Sequence, residues 1–342
     1  MNKRERVQAV LEGRIPDRVP KGEFAVSEGL AKEITGVSGF EGQLQAALTL
    51  GFDFIAPGIN YQFKKTGCVD SRGREIFVDP WGRKVTFYRG CPFFTEHPCQ
   101  SLEEVIRMET PEVKENYWSD VSRWSKKSDL FVFALVDGIF QTLSSLLDFN
   151  VFLMAIVNEK EKLQEAAEKV LYFILEISKQ AIKSGANGII LGEDIAYDKG
   201  TFVSPAVLKE VFFPCIKEIT TELSVPVVFH ADGDLNMVLD SLANLGLVGI
   251  HSLQPSTGMD LGKVKSEYGK KLTLIGNLDL DDLHKTHERD IPQIVKDIIL
   301  KGAPEGRYMF SSASGILDDS LPASKIVKVY EEVEKLGCYP LE

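Results

Sequence analysis

Short runs of consecutive apolar residues recur along the chain. Each ends in Gly or a polar residue, and each leads into a stretch whose apolar positions return every three to four residues. Eight such runs stand out, at 21–26 (KGEFAV), 52–58 (FDFIAPG), 131–138 (FVFALVDG), 188–194 (GIILGED), 225–232 (VPVVFHAD), 249–255 (GIHSLQP), 272–279 (LTLIGNLD) and 307–312 (RYMFSS). An unbroken apolar run fits a strand covered on both faces, the situation of a parallel sheet. Strand followed by helix, repeated eight times, predicts an α/β protein of the (β/α)8, or TIM-barrel, type.

The helical stretches carry start and stop signals. Asn158 with Glu161 three residues on resembles a capping box. It precedes an apolar face of Leu163, Ala167, Val170, Leu171, Ile174 and Ile177 that ends at Gly185. Ser204-Pro205 reads as a cap followed by a first-turn proline, and Pro214 breaks or kinks that helix. A last helix runs from about Pro322 to Leu336 with Gly337 as its stop. One segment departs from the rhythm. Residues 74–88 (REIFVDPWGRKVTFY) alternate around Pro80-Trp81-Gly82, which predicts a β-hairpin inserted between the second and third barrel strands, either an excursion covering one mouth or a lid or docking surface. No low-complexity tract or linker divides the chain, so residues 1–342 are expected to form a single domain.

Composition narrows the classes. Hydrophobic residues make up 44% and charged residues 26%, as in an ordinary folded protein. No apolar run approaches the ~18 residues of a membrane span, and the charged N-terminus is followed by no apolar stretch of a signal peptide. A net charge of −11 argues against nucleic acid as a partner. Five cysteines, Cys68, Cys91, Cys99, Cys215 and Cys338, with no CxxC, fit reduced thiols in a cytoplasmic protein.

In a barrel of this kind the chemistry lies at the C-terminal ends of the strands. Those ends supply Glu23, Asn60, Asp137, Glu193 with Asp194, His230 with Asp232, His251 with Gln254, Asn277 with Asp279, and Ser311 with Ser312. The strongest is FHADGD at 229–234, where His230 and Asp232 stand two apart on a strand and share a face. Such a pair can hold Zn²⁺ or act as an acid/base pair; equally, the aspartates can cap a helix beside a satisfied histidine. Glu193 or Asp194 on the neighbouring strand end could add a third ligand, but adjacent residues face opposite ways, so only one points inward. Glu23, Tyr197, His251 and Asn277 are the candidates to contact a substrate, and Phe24, Tyr61, Phe140 and Tyr197 offer aromatic surface. His97, His284 and His287 fall outside these ends and are expected at the surface.

Several segments together resemble the uroporphyrinogen decarboxylase superfamily. RIPDRVP at 14–20 is similar to its G-x-x-P-D-R-x-P signature, and FVDPWG at 77–82 to its D-x-W/F-G hairpin. GEDIAYDKGTFVSPAVLKEVFFP at 192–214 is similar to its D-D…G-x-x-x-S-P…F-x-x-P, VFHADG at 228–233 to its H-x-C/D-G strand, and VEKLGCYP at 333–340 to its C-terminus. The resemblance covers nearly the whole chain. It implies one of two chemistries. Decarboxylases of the family grip porphyrinogen carboxylates with an arginine-rich M-R-Q-A-G-R segment, but PKGEFAVS at 20–27 has no arginine there, and Glu23 would repel a polyanion. The other branch holds zinc-dependent corrinoid methyltransferases, whose thiol-methylating members resemble this chain but bind zinc through H-x-C and a later Cys. Here Asp232 stands in place of that Cys, and the last strand (FSSASG, 310–315) has none.

A histidine with carboxylates makes a harder site than thiolates and suits polarisation of an oxygen. The resemblance therefore implies an ether-cleaving methyltransferase that moves a methyl group from a methoxy-aromatic donor to Co(I) of a separate small corrinoid protein. His230, Asp232 and Glu193 or Asp194 would hold Zn²⁺. A carboxy-lyase, or a barrel that only binds a corrinoid partner, are the alternatives.

Overall fold

The structure is a computed structural model that describes residues 1–88 and 91–341. All eight apolar runs form strands: β1 (Gly22–Glu23), β2 (Phe54–Ile55), β3 (Phe131–Asp137), β4 (Gly188–Gly192), β5 (Val227–Ala231), β6 (Gly249–Ser252), β7 (Thr273–Leu278) and β8 (Tyr308–Ser312). They pair in parallel and in sequence order. A parallel bridge between Lys21 and Phe310, with the Phe310 N–H donating to the Pro20 carbonyl at 2.8 Å, joins the last strand to the first. The result is the expected (β/α)8 barrel.

Strand parity separates two cores. Phe54, Phe131, Phe133, Ile190, Val228, Ile275 and Met309 fill the barrel interior, and Phe24 joins them. The alternating residues face the helical ring. The first helix, α1 (Lys3–Leu11), plugs the floor with Val7, Val10 and Leu11. Beside it the 14–20 signature is structural: Arg6 binds Asp17 and the buried Asp53. No single described helix is long and apolar enough to cross a membrane.

The helical signals hold with one exception. Ser204 caps its helix by accepting from the Val207 N–H, and a π-helical turn at Leu208–Phe212 absorbs the disruption around Pro214. Asn158 is not a cap. It closes the preceding helix Phe149–Asn158 and donates to the Met154 carbonyl, so helix Lys160–Lys183 starts without a side-chain cap. The hairpin grows into a four-stranded antiparallel meander, Lys64–Val69, Glu75–Val78, Lys84–Tyr88 and Cys91–Glu96. Turn residue Trp81 is buried against Phe173, and Arg83 is buried beside Asp79 and Ser145, so the meander is part of the body.

Candidate active site

His230 lies on β5 facing the barrel interior, level with His251 on β6. Their Nδ1 atoms are 2.9 Å apart. Beyond His251, its Nε2 lies 3.4 Å from the Ser311 hydroxyl, and that hydroxyl donates to Glu23 at 2.9 Å. Counting donors along this line sets the tautomers. Ser311 gives its proton to Glu23, so its oxygen can only accept from His251 Nε2–H. A neutral His251 then accepts at Nδ1, so His230 donates from Nδ1 and turns Nε2 toward the mouth. Burial pushes the His251 imidazole well below its ordinary value, with the adjacent His230 adding to the effect and a hydrogen bond to the Ser312 backbone opposing it. Phe24 covers both rings, edge-on to His230 with centroids 5.2 Å apart and tilted over His251 at 4.3 Å. A Cβ on Gly315 would fall 2.7 Å from the Phe24 ring, so glycine there allows this placement.

Two carboxylates join His230 on the inward parity. Asp232 accepts from the Ser252 hydroxyl at 2.7 Å, and Asp194 accepts from the Asp232 N–H at 3.2 Å. Burial pushes the Asp194 carboxyl up, opposed by the charge of His230 and reinforced by that of Asp232. The backbone beside them is unusual: Ser252 and Leu253 both have positive φ, 86° and 50°. Such conformations cost on the order of 1–3 kcal/mol each and cluster at functional sites. Here the bend aims Ser252 at Asp232. Gly233, at φ 94°, packs against the backbone of Ala196 and Tyr197, where a Cβ would come within 2.6 Å.

The structure corrects several expectations. Glu193 is fully buried on the outward parity, and its oxygens accept from the N–H groups of Ile139, Phe140 and Gln141 at 2.7, 2.8 and 3.2 Å. It caps the first turn of α2 (Ile139–Leu146) and is turned away from His230. Burial pushes its carboxyl up to about 8 against those three donors. Glu23 also faces outward. Ser311, both polar groups of Ser312 and the Tyr330 hydroxyl donate to it, so it touches no substrate. His251 is wholly buried and reaches the mouth only through His230. Asn277 is buried with its amide on the Leu253 carbonyl, 3.0 Å away. Phe140 is core, against Phe152 and Phe212. Tyr197 is exposed on the small hairpin Ala196–Thr201 and stacks on Phe202. His284 and His287 are exposed, whereas His97 is half-buried against the Ser145 carbonyl.

The zinc set His230, Asp232 and Glu193 does not fit. Glu193 is committed to α2, and among the described residues no three His, Cys, Asp or Glu side chains are arranged to hold a metal ion. What the mouth presents is one imidazole of fixed tautomer between two carboxylates, an arrangement suited to giving or taking a proton.

One residue passed over as an ordinary polar strand end lies close by. Asp137, the last residue of β3, pairs with Gly192 of β4, and His230 pairs with the same Gly192 from the other side. Asp137 and His230 are therefore level, two strands apart, or about 9–10 Å between Cα atoms. A Cβ on Gly192 would make only ordinary contacts, with the Val136 carbonyl at 3.7 Å and the Leu135 side chain at 3.8 Å.

Residues 76–336 match the family model described as uroporphyrinogen decarboxylase (URO-D). Among solved structures the chain is similar to a methyltransferase from Methanosarcina mazei, with 16% identity, 98% of this chain and 99% of that one covered, and a TM-score of 0.77. It is also similar to a B12-independent methionine synthase from Shewanella sp. W3-18-1, solved in complex with selenomethionine, with 12% identity, 94% and 96% coverage and a TM-score of 0.48. The first likeness shows the shared barrel fold. No curated protein matches the sequence.

Proposed function

The chain belongs to the uroporphyrinogen decarboxylase family, and from that premise we propose that it is a methyltransferase moving a methyl group from a methoxy-aromatic donor to Co(I) of a corrinoid carried by a separate small protein. The observation that carries this reading is the His230–His251 contact at 2.9 Å. It leaves Nε2 of His230 at the mouth as a proton-transfer group beside two carboxylates. Ether cleavage needs such a group, because the leaving oxygen must be protonated as its methyl departs. In the proposed step the methyl carbon is taken by the partner's Co(I), the electron pair of the broken C–O bond stays on oxygen, and the proton of His230 Nε2–H neutralises that oxygen. Asp194 and Asp232 balance the charge of doubly protonated His230 before transfer, while its Nδ1–H stays on neutral His251. Solvent returns the proton afterwards.

Decarboxylation of a porphyrinogen fits less well. Such a substrate brings several carboxylates, and the inward groups around His230 are themselves acidic: Asp137, Asp194 and Asp232. Among the described residues Arg83 is the cation lining that side of the mouth, and it is already paired with Asp79 at 2.6 Å. The test is to supply methoxyaromatics, methanol, methyl thiols and porphyrinogens separately, with Co(I) cobalamin, and to follow methylcobalamin absorbance and CO2 release. Methyl transfer from an aryl ether, lost in His230→Ala with the fold intact, is the expected result. CO2 release without methyl transfer would overturn the proposal.

A further inference from the structure

A cavity of about 250 Å³ lies between the ends of β2 and β3 and the underside of the meander. Its volume is below the ~300–1,000 Å³ of sites for drug-sized ligands, so it suits a single ring. Tyr61, Phe63, Phe94 and Leu135 give it flat apolar walls. Among the described residues three charged side chains line it, and two of them are satisfied by each other. The Arg83 guanidinium donates to Asp79 at 2.6 Å and to Ser145 at 2.6 Å, and lies over the Phe94 ring at 4.3 Å. The third, Asp137, is half-buried and accepts no hydrogen bond from any described residue, so its carboxylate lines the cavity with its acceptor capacity free. Burial pushes its carboxyl up, with the charge of Arg83 opposing and those of Asp194 and Asp79 adding.

The cavity is also placed to serve His230. Leu135 is one of its walls, and the Leu135 Cδ1 lies 3.8 Å from where a Cβ on Gly192 would sit. The cavity therefore reaches Gly192, the residue that pairs with His230 on its other side.

We propose that this cavity is the donor subsite and that it selects a neutral methoxyphenol, whose hydroxyl donates to Asp137 while the methoxy oxygen reaches across Gly192 toward His230. This rests on the methyl-transfer reading for the methoxy group, but the hydroxyl contact stands on the cavity alone. The charge pattern separates ring types. An aromatic carboxylate would bring a second anion against Asp137 and find the guanidinium already paired. A phenol supplies the missing donor and leaves the Arg83–Asp79 pair undisturbed. A dimethoxybenzene fits the walls but brings no donor to Asp137, so it shields the half-buried carboxylate from solvent without replacing the hydrogen bonds it displaces.

Isothermal titration calorimetry of 2-methoxyphenol, catechol, 1,2-dimethoxybenzene and 2-methoxybenzoate, on the full chain without corrinoid, tests the subsite. The two phenols should bind about 10- to 100-fold more tightly than the other two, the range expected for one hydrogen bond to a charged group. Asp137→Leu should remove that preference. Asp137→Asn, which keeps an acceptor oxygen, should retain most of it. Tightest binding of 2-methoxybenzoate, or phenol affinity unchanged in Asp137→Leu with the fold intact by circular dichroism, would overturn the proposal. Asp137-dependent phenol binding without any methyl transfer would instead sink the methyltransferase reading and leave the subsite standing.

Discussion

Asp137 and His230 pair with the same residue, Gly192, from opposite sides, so a carboxylate without a hydrogen-bond donor among the described residues and the His230 imidazole are separated by a residue that carries no side chain. Gly192 has no positive φ and a Cβ there would make only ordinary contacts, the nearest at 3.7 Å. The backbone therefore does not require glycine, whereas the proposed substrate path across it does. Gly192→Ala should fold with stability unchanged or raised by up to about 1 kcal/mol, because glycine loses the most entropy on folding. Gly192→Leu should fold but raise KM for the donor at least tenfold. Urea unfolding together with donor kinetics checks both, and unchanged KM in Gly192→Leu would show that the substrate does not cross Gly192.

His251 acts through His230 and touches no substrate, so its loss should appear in kcat. Without its Nδ1 acceptor, His230 no longer has a preferred tautomer. We expect His251→Leu to lower kcat by on the order of 10²-fold, at the lower end of general acid–base contributions, with KM nearly unchanged. A rise in KM with kcat preserved would mean that His251 shapes the pocket instead.

The same residue makes stability depend on pH. In the folded chain His251 stays neutral well below its ordinary value, so below about pH 6.5 the unfolded chain binds more protons there. Its contribution is present above about pH 6.5 and is lost as pH falls, by up to about 1.4 kcal/mol per pH unit. Glu193 titrates in the opposite sense, its raised value reducing stability as pH rises toward about 8. The difference between wild type and His251→Asn isolates the histidine. That difference, from urea unfolding between pH 5 and 7.5, should shrink as pH falls, and a constant difference would refute the neutral assignment.

The barrel was legible because each strand is an unbroken apolar run and each run pairs with the next in order. His230 and Asp232 were legible because spacing of two on a strand fixes a shared face. The rest required the third dimension. Parity allowed Glu193 or Asp194 to point inward, and only the position of α2, whose first N–H groups need an acceptor, sends Glu193 outward. Gly138 was a further clue, since a Cβ there would lie 2.2 Å from the Glu193 carboxyl carbon. Glu23 was misplaced for want of the same information, because Phe24, one residue on, takes the inward side. Asp137 looked like any polar strand end until the meander closed over it.

Glu193 as a helix cap and Glu193 as a metal ligand predict different losses. Glu193→Gln should lower stability by about 1–2 kcal/mol, the usual scale for a lost cap acceptor, and leave the metal content of the purified protein unchanged. Thermal unfolding and elemental analysis on the same samples decide between them. Loss of metal with stability intact would restore Glu193 to a ligand set.

The last prediction concerns the proposed corrinoid partner. The methyl must be presented to cobalt, so the mouth beside the meander has to admit a macromolecule. Deleting the meander would be a poor test, because Trp81 and Arg83 are buried parts of the body and Arg83 lines the proposed donor cavity. Its first strand, Lys64–Val69, is a sheet edge with mostly exposed residues, and Val69 is 63% exposed. An edge of this kind is a natural contact surface. Val69→Asp and Cys68→Trp alter that surface without reaching the cavity. If the partner docks there, together they should lower kcat/KM with protein-bound corrinoid by about tenfold, the effect of disturbing an interface centre. Transfer to free cobalamin, which needs no docking surface, should change less than about twofold, as surface substitutions away from a site do. Equal losses on both acceptors would place the damage in the barrel, and no loss on either would move the docking face elsewhere on the mouth.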